Sequence, residues 1–309
     1  MDVIARNMSG PIPQSQQHPS PVITIETALG GFLRTLEGRN RSAATLVAYQ
    51  ADIRQFASFL TDTNVFAAEL ERITRADVSE FLAWLSDRNV SGVSRARKLA
   101  ALREFFRYLH AVGAVERLPT DGVETPRKER NVRTYLRPDE YAKILSFAGE
   151  SIRDYAMLQT FLQTGVRVSE LCALTLGDVA LKSQMLTVRG KGMVEREIEL
   201  ERRGVMALRN WLSVRPPSSS GSLFLNQYGG PISTRGVRKL VAKYRRLAGV
   251  TRRASCHSFR HTFATCKAEH GVSAFQLQRW LGHASIATTQ IYVHLGRQGA
   301  RKLMEGTAL

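Results

Sequence analysis

Apolar residues recur at steps of three and four along most of this 309-residue chain, and this spacing constrains the fold more than any other feature. One buried face of an α-helix requires that spacing. Between about Ile23 and Gly113 it predicts about four main helices, and Thr74 followed by Asp77 predicts a helix start. The repeats are Leu46, Tyr49, Ile53, Phe56 and Leu60; Val78, Phe81, Leu82 and Leu85; and Leu99, Leu102, Phe106 and Leu109.

A segment without apolar periodicity, residues 117–135, follows this helical region. It contains two prolines, a glycine and many charges, a composition typical of an interdomain linker. Helical spacing dominates again from Leu136, with renewed starts near Arg203, Arg235, His257 and Ser273, where Ser273 and Gln276 predict a capping box. One stretch differs: residues 185–190 and 194–200 alternate in polarity around Lys191 and Gly192, which predicts a β-hairpin. We therefore expect a mainly α protein with a small β-hairpin.

These patterns predict five parts of the chain. The first 21 residues, rich in Pro, Ser and Gln, are expected to form a flexible arm. Residues 22–116 form a helical domain, 117–135 the basic linker, 136–296 a second, mainly helical domain, and 297–309 a short tail.

The chain is strongly basic, with 44 Lys and Arg against 27 Asp and Glu, a formal charge of +17 and a pI near 10.4. Such a charge favours a polyanionic partner, and nucleic acid is the leading candidate. A membrane surface is the weaker alternative, because the sequence shows no basic amphipathic anchor, no lipidation site and no apolar run of about 20 residues. Three cysteines without pair spacing (Cys172, Cys256 and Cys266) and an N-terminus without a hydrophobic signal favour the cytoplasm.

The basic residues of the helical domain are unevenly placed. A solvated helix face is the common explanation of such a cluster, but with a charge of +17 we expect contacts to phosphates. The cluster comprises Arg95, Arg97, Lys98, Arg103 and Arg107, with Arg39 and Arg41 before the second helix and Arg127, Lys128, Arg130 and Arg133 in the linker.

Five short motifs after the linker carry side chains suited to phosphate chemistry. They are TGVRVSEL with Arg167 and Glu170, RGKG with Lys191, HSFRH with His257 and Arg260, LGHAS with His283, and TTQIYVH with Tyr292. Two guanidinium groups match the oxygens of one phosphate, and two imidazoles donate to further oxygens or move protons. A lysine on a loop protonates a leaving oxygen, and a tyrosine hydroxyl attacks phosphorus to form a covalent intermediate.

Each motif alone has an ordinary structural explanation, since a single arginine is usually a surface residue and Tyr292 lies between two apolar residues. A zinc site formed by Cys256, His257, His261 and Cys266 is disfavoured, because that spacing on one helix does not surround one point. The sequence also lacks the GxxxxGK[ST] loop of nucleotide-binding proteins. Exchange of one phosphodiester for another requires no ATP, so we expect no cofactor and no metal ion.

The order of these motifs resembles the tyrosine recombinase (phage-type integrase) family, and most of all its simple Xer-type members. The similarity extends from about residue 22 to the end and includes HSFRHTFAT and LGHASIATTQIY. It implies a helical, SAM-like core-binding domain and a mainly helical catalytic domain around double-stranded DNA. It also implies a tail that docks on a neighbouring protomer. The six family active-site positions match Arg167, Lys191, His257, Arg260, His283 and Tyr292, and Glu170 matches a supporting acidic position.

The resemblance implies a metal- and ATP-independent reaction at an inverted-repeat DNA site, with a 3′-phosphotyrosine intermediate, a tetramer on two sites and a Holliday junction. It leaves open whether a second recombinase takes part. Two alternatives share some of these features: a type IB topoisomerase-like relaxase that acts without partners, and a DNA-binding protein without catalysis. The spacing from LGHAS to Tyr292 and the complete set of six side chains favour the recombinase.

Overall fold

The computed structural model describes residues 24–63, 70–127, 135–190, 195–252, 254–282 and 289. The chain divides into two compact units, Met1–Asn131 and Val132–Leu309. The arm and the tail lie outside the described residues, as do Lys191, His283 and Tyr292. No helix in the described ranges is long and apolar enough to cross a membrane.

The described part of the first unit contains four α-helices, as the apolar spacing predicted. Thr74 begins the third of them, as predicted, and the structure shows a capping box there: its backbone N donates to Asp77 Oδ2 (2.7 Å), and Asp77 N donates to Thr74 Oγ1 (3.4 Å). Fully buried phenylalanines from all four helices (Phe32, Phe56, Phe81, Phe105 and Phe106) contribute to one core. The helices are α1 (Ile25–Gly38), α2 (Ala43–Asp62), α3 (Arg75–Asp87) and α4 (Gly92–Ala111).

The start of the predicted linker packs on this first core. Val123 is buried there, and Leu118 is partly buried against the same cluster. Arg103 on α4 donates to Val123 O (2.6 Å) and to Thr125 Oγ1 (2.9 Å). Two apolar residues without a repeat give no periodic pattern, so sequence periodicity assigned them to the linker.

The described part of the second unit is built around α6, which packs against its neighbours α5, α7, α8 and α10. Its helices are α5 (Pro138–Ala148), α6 (Ile152–Thr164), α7 (Val168–Ala173), α8 (Arg202–Val214), α9 (Thr234–Leu247), α10 (Cys256–Glu269) and α11 (Ala274–Leu281). Ser273 begins α11 by accepting a hydrogen bond from Gln276 N (3.2 Å), which is one of the two hydrogen bonds of the predicted capping box.

A three-stranded antiparallel sheet accompanies these helices. The predicted hairpin is formed by β2 (Met185–Arg189) and β3 (Glu195–Glu199), in a register that pairs Met185 with Glu199 and Arg189 with Glu195. A third strand, β1 (Val179–Ala180), pairs with β2. The sequence did not predict β1, because two residues are too few to show an alternating pattern. The fold is mainly α with a small sheet, as expected.

Candidate active site

Arg167 stands at the start of α7, directly after a tight turn that ends α6. Gly165 makes this turn at φ +61°, and a Cβ there would lie 2.5 Å from Cδ1 of Phe263. Glycine is therefore required both by the backbone conformation and by the space. Arg167 N donates to Glu170 Oε2 (2.8 Å) and its Nη1 donates to Glu170 Oε1 (2.7 Å). The guanidinium is held in place, and 36% of the side chain remains exposed.

Arg260 lies one turn into α10 and is buried, with 5% of its surface exposed. Its Nη1 donates to Gly165 O (2.7 Å) and its Nη2 donates to Leu281 O (2.6 Å). These two carbonyls fix the plane of the guanidinium from two different segments, the turn before Arg167 and the end of α11. Arg260 is thus both part of the core and a neighbour of the Arg167 turn.

The last residues of α11 join the two arginines. Gly282 caps the helix in the left-handed conformation, at φ +61°, and its carbonyl accepts from Arg167 Nη2 (3.0 Å). Leu281 and Gly282 therefore offer consecutive carbonyls, one to each arginine. Carbonyls at a helix C-terminus carry partial negative charge, which suits cationic partners. In the sequence His283 follows Gly282 directly.

His257 is the second residue of α10, one turn before Arg260, and its side chain reaches the surface. Partial burial lowers the pKa of its imidazole, and the positive charges of Arg260, Arg167 and Arg238 lower it further. A lowered pKa keeps the ring neutral near pH 7, so it is able to accept a proton. The described residues thus bring Arg167, His257 and Arg260 of the six predicted positions into one site.

Glu170 is the acidic residue that pairs with the arginines of this site. Its carboxylate is 6% exposed and accepts from Arg167 and also from Arg196, whose Nη2 lies 2.7 Å from Oε2 and whose Nη1 lies 3.2 Å from Oε1. Burial alone would raise the pKa of Glu170, but the hydrogen bonds and charges of the two arginines outweigh it and the pKa lies below its ordinary value. Glu170 is therefore an anion that orients two cations.

Two residues near the site were missed by the sequence analysis. Arg196 was treated only as part of a hairpin strand, and Arg238 on α9 was not singled out. A signal for Arg196 existed, because it shares the strand parity of buried Ile198 and so belongs to the inward face of β3. Arg238 offered no comparable signal, since it stands in a run of basic residues on a strongly amphipathic helix.

The site presents preorganised donors for an anion. Two guanidinium groups held by carbonyls and a carboxylate need no rearrangement to stabilise charge that develops on a phosphate. No group of three His, Cys, Asp or Glu side chains within the described ranges could hold a metal ion.

Residues 134–298 match the phage integrase family, and residues 29–113 match the N-terminal SAM-like domain of phage integrases. The chain belongs to the phage integrase family.

Individual relatives agree with this assignment. The chain is 37% identical over 262 residues to the tyrosine recombinase XerC of Pelobacter propionicus, with 83% of this chain and 86% of that protein covered. The crystal structure of XerA recombinase is similar with a TM-score of 0.53 at 28% identity, over 92% of this chain and 99% of that chain. A lambda integrase tetramer bound to a Holliday junction shares the fold, with a TM-score of 0.72 at 21% identity over 88% and 78% of the two chains.

Proposed function

We propose that this protein recombines double-stranded DNA at a specific site by transesterification, with Arg167, Lys191, His257, Arg260, His283 and Tyr292 as its catalytic residues. One observation carries the proposal. Arg167 and Arg260 donate to the consecutive carbonyls of Gly282 and Leu281, immediately before His283 in the chain, while both charges act on His257. Such an arrangement of fixed cations around a neutral imidazole suits a phosphate that gains charge in a transition state.

Tyr292 is the proposed nucleophile. Its hydroxyl oxygen attacks the scissile phosphorus, a P–O bond to the 5′ oxygen breaks, and the products are a 3′-phosphotyrosine and a free 5′-hydroxyl. Because a free tyrosine has a pKa of about 10, the attack requires a proton acceptor, and His257 with its lowered pKa is suited to that task. In the return step a 5′-hydroxyl attacks the phosphotyrosine and releases Tyr292.

The remaining side chains act on the phosphate and the leaving group. Arg167 and Arg260 stabilise the pentavalent phosphorane, and His283 donates to a phosphate oxygen. Lys191, at the predicted tip of the hairpin, protonates the departing 5′ oxygen. One phosphodiester is exchanged for another, so the ester energy is conserved and the reaction needs neither ATP nor a metal ion.

The partner of this chain is duplex DNA with an inverted-repeat recombination site. The relatives support this, since their names describe recombinases and a lambda integrase tetramer is bound to a Holliday junction. We assign residues 22–116 to core DNA binding, 117–135 to a basic linker and 136–296 to catalysis, preceded by a flexible arm over 1–21. Protomers on two sites assemble into a tetramer, in which the tail 297–309 docks on a neighbour. The substrate places the protein in the cytoplasm, in association with the nucleoid.

The decisive experiment is the substitution Tyr292→Phe, which removes only the hydroxyl. A duplex site selected from a random pool by the purified protein supplies a nicked suicide substrate, on which cleavage traps the covalent intermediate. The unaltered protein should form a protein–DNA adduct, and Tyr292→Phe should bind the same site and form none.

An adduct with the Phe variant would refute the assignment of the nucleophile. Relaxation of a supercoiled plasmid that lacks the selected site would indicate the topoisomerase-like alternative. Site binding without an adduct in the unaltered protein would indicate a DNA-binding protein without catalysis.

A further inference from the structure

Arg196 on β3 joins three segments of the second unit that carry or precede proposed catalytic residues. Its Nη1 and Nη2 donate to Glu170 on α7, and its Nε donates to Trp280 O (2.7 Å) near the end of α11. In the sequence, this strand begins four residues after Lys191. One side chain on the returning strand of the hairpin therefore contacts both α7 and the end of α11.

The contacts close into a ring. Arg167 donates to Glu170, Glu170 accepts from Arg196, Arg196 donates to Trp280 O, and Gly282 O accepts from Arg167. A Cβ on Gly282 would lie 3.1 Å from Arg196 Nη1, so the turn that leads to His283 passes close to this guanidinium. In such a ring, a shift of Arg196 moves the acceptors of Arg167 on both sides.

The contacts of Arg196 suit a residue that orients neighbouring side chains better than one that stabilises the fold. The side chain is 10% exposed and its partner Glu170 is 6% exposed. A buried ion pair costs desolvation that its attraction barely repays, so apolar replacements often stabilise a fold equally well. A planar fork that contacts a carboxylate with two nitrogens and a carbonyl with a third fixes direction, which lysine cannot reproduce.

We propose that Arg196 is a positioning residue for DNA cleavage: it holds Glu170 and the end of α11 so that Arg167 and Arg260, which both donate to that helix end, face the same phosphate. The inference rests on the proposed function of these residues. It assigns Arg196 no contact with DNA and no proton transfer. Arg196 acts through Glu170 and through the carbonyl of Trp280.

The test compares Arg196→Gln and Arg196→Lys with a matched control, Arg189→Gln. Arg189 stands on the partner strand β2 and contacts a carboxylate of similar burial, Asp178 at 3% exposed, together with Glu195. All three variants thus change a guanidinium on a strand of this hairpin, and in each case that guanidinium pairs with a buried carboxylate outside the hairpin. Single-turnover cleavage of the suicide substrate, with protein in excess, is measured beside affinity for the half-site and the midpoint of thermal unfolding.

We expect Arg196→Gln to slow cleavage by about 10²-fold, the scale of misplacing a reacting group by about 1 Å. Half-site affinity should change less than about threefold, because the cations that attract the duplex remain. Arg196→Lys should recover only part of the rate, since an ammonium reaches one acceptor well and leaves the other segment unheld. Arg189→Gln should cleave within about threefold of the unaltered protein, because its partners lie outside the ring.

A double-mutant cycle with Glu170→Gln gives a second readout. If Arg196 acts through Glu170, the double variant should cleave about as fast as the slower single variant. If the two losses multiply, the coupling is absent and the proposal is wrong. Arg196→Gln with cleavage near normal, or with a loss equal to that of Arg189→Gln, also overturns it.

Folding and function are separable in this design. If Arg196→Gln fails to fold, Arg196→Lys tests the proposal in its place. Full cleavage by the folded lysine variant would contradict the need for a planar guanidinium at this position. An unaltered protein that forms no adduct would defeat the proposed function, whereas normal cleavage by the Arg196 variants would defeat only this inference.

Discussion

At the scale of single residues, the two site arginines carry the same functional group but differ in their burial and in their partners. Arg167 is 36% exposed and, if removed, leaves Glu170 still paired with Arg196. Arg260 is buried and satisfies the carbonyls of Gly165 and Leu281. Removal of Arg260 therefore leaves a cavity and two buried acceptors that lose a donor.

Kinetic and equilibrium measurements should separate these roles. Both Arg167→Ala and Arg260→Ala should slow single-turnover cleavage by about 10²–10³, as for the loss of one preorganised donor. Arg167→Ala should change the free energy of unfolding in urea by less than about 1 kcal/mol. Arg260→Ala should lower it by about 2–4 kcal/mol, and Arg260→Lys should restore little, because one ammonium does not serve two carbonyls. Equal stability of the two alanine variants would contradict the division.

Sequence reasoning found the residues of this site whose chemistry is conspicuous, together with Glu170, but missed Arg196, which pairs with Glu170. Arg167, His257 and Arg260 stood in motifs with phosphate-binding side chains, and the structure brings them together. Arg196 required a contact between residues 26 positions apart, Arg196 and Glu170, which no local spacing reveals. Its parity with Ile198 shows that β3 turns it inward, but not which carboxylate it would meet.

At the scale of elements, long periodic segments were predictable and short ones were not. Helices α2, α3 and α4 followed their apolar repeats, whereas β1 has two residues, too few for an alternating pattern to appear. Element α4 also refines the expectation that its basic residues contact phosphates. Arg97 and Lys98 both pair with the buried carboxylate of Asp52 on α2, and Arg107 pairs with Glu104 on its own helix.

Exposure divides the cations of α4 into two kinds, and this can be tested. Arg107 is 63% exposed, whereas Lys98 is 13% exposed and reaches Asp52 Oδ1 at 2.8 Å. Arg107→Gln should reduce the slope of log affinity against log salt by about 0.9, the value for one lost phosphate contact, with little change in stability. Lys98→Gln should leave that slope unchanged and lower the free energy of unfolding by about 1–2 kcal/mol. A reduced slope with unchanged stability in Lys98→Gln would show that exposure does not distinguish the cations that contact phosphates from those that stabilise the fold.

At the scale of the whole molecule, the positive charge is concentrated in one unit. Residues 132–309 carry 27 Lys and Arg against 12 Asp and Glu, whereas residues 1–131 carry 17 against 15, so the second unit holds +15 of the total +17. Each unit also has its own buried cluster of apolar side chains. The second unit is therefore expected both to fold alone and to retain most of the long-range attraction for DNA.

Residues 132–309 expressed alone should unfold cooperatively and bind the selected duplex site more weakly than the full chain, since residues 22–116, proposed to bind the core DNA, are removed. The slope of log affinity against log salt should nevertheless keep more than about two thirds of its value in the full chain, because that slope counts phosphates neutralised by cations and most of the excess cations remain. Titrations of both proteins at several salt concentrations give the two slopes directly. A slope that falls by half or more would mean that the few excess cations of residues 1–131 lie closer to phosphates than the many of the second unit. In that case α4 and its neighbours, rather than the net charge, would set the electrostatic part of binding.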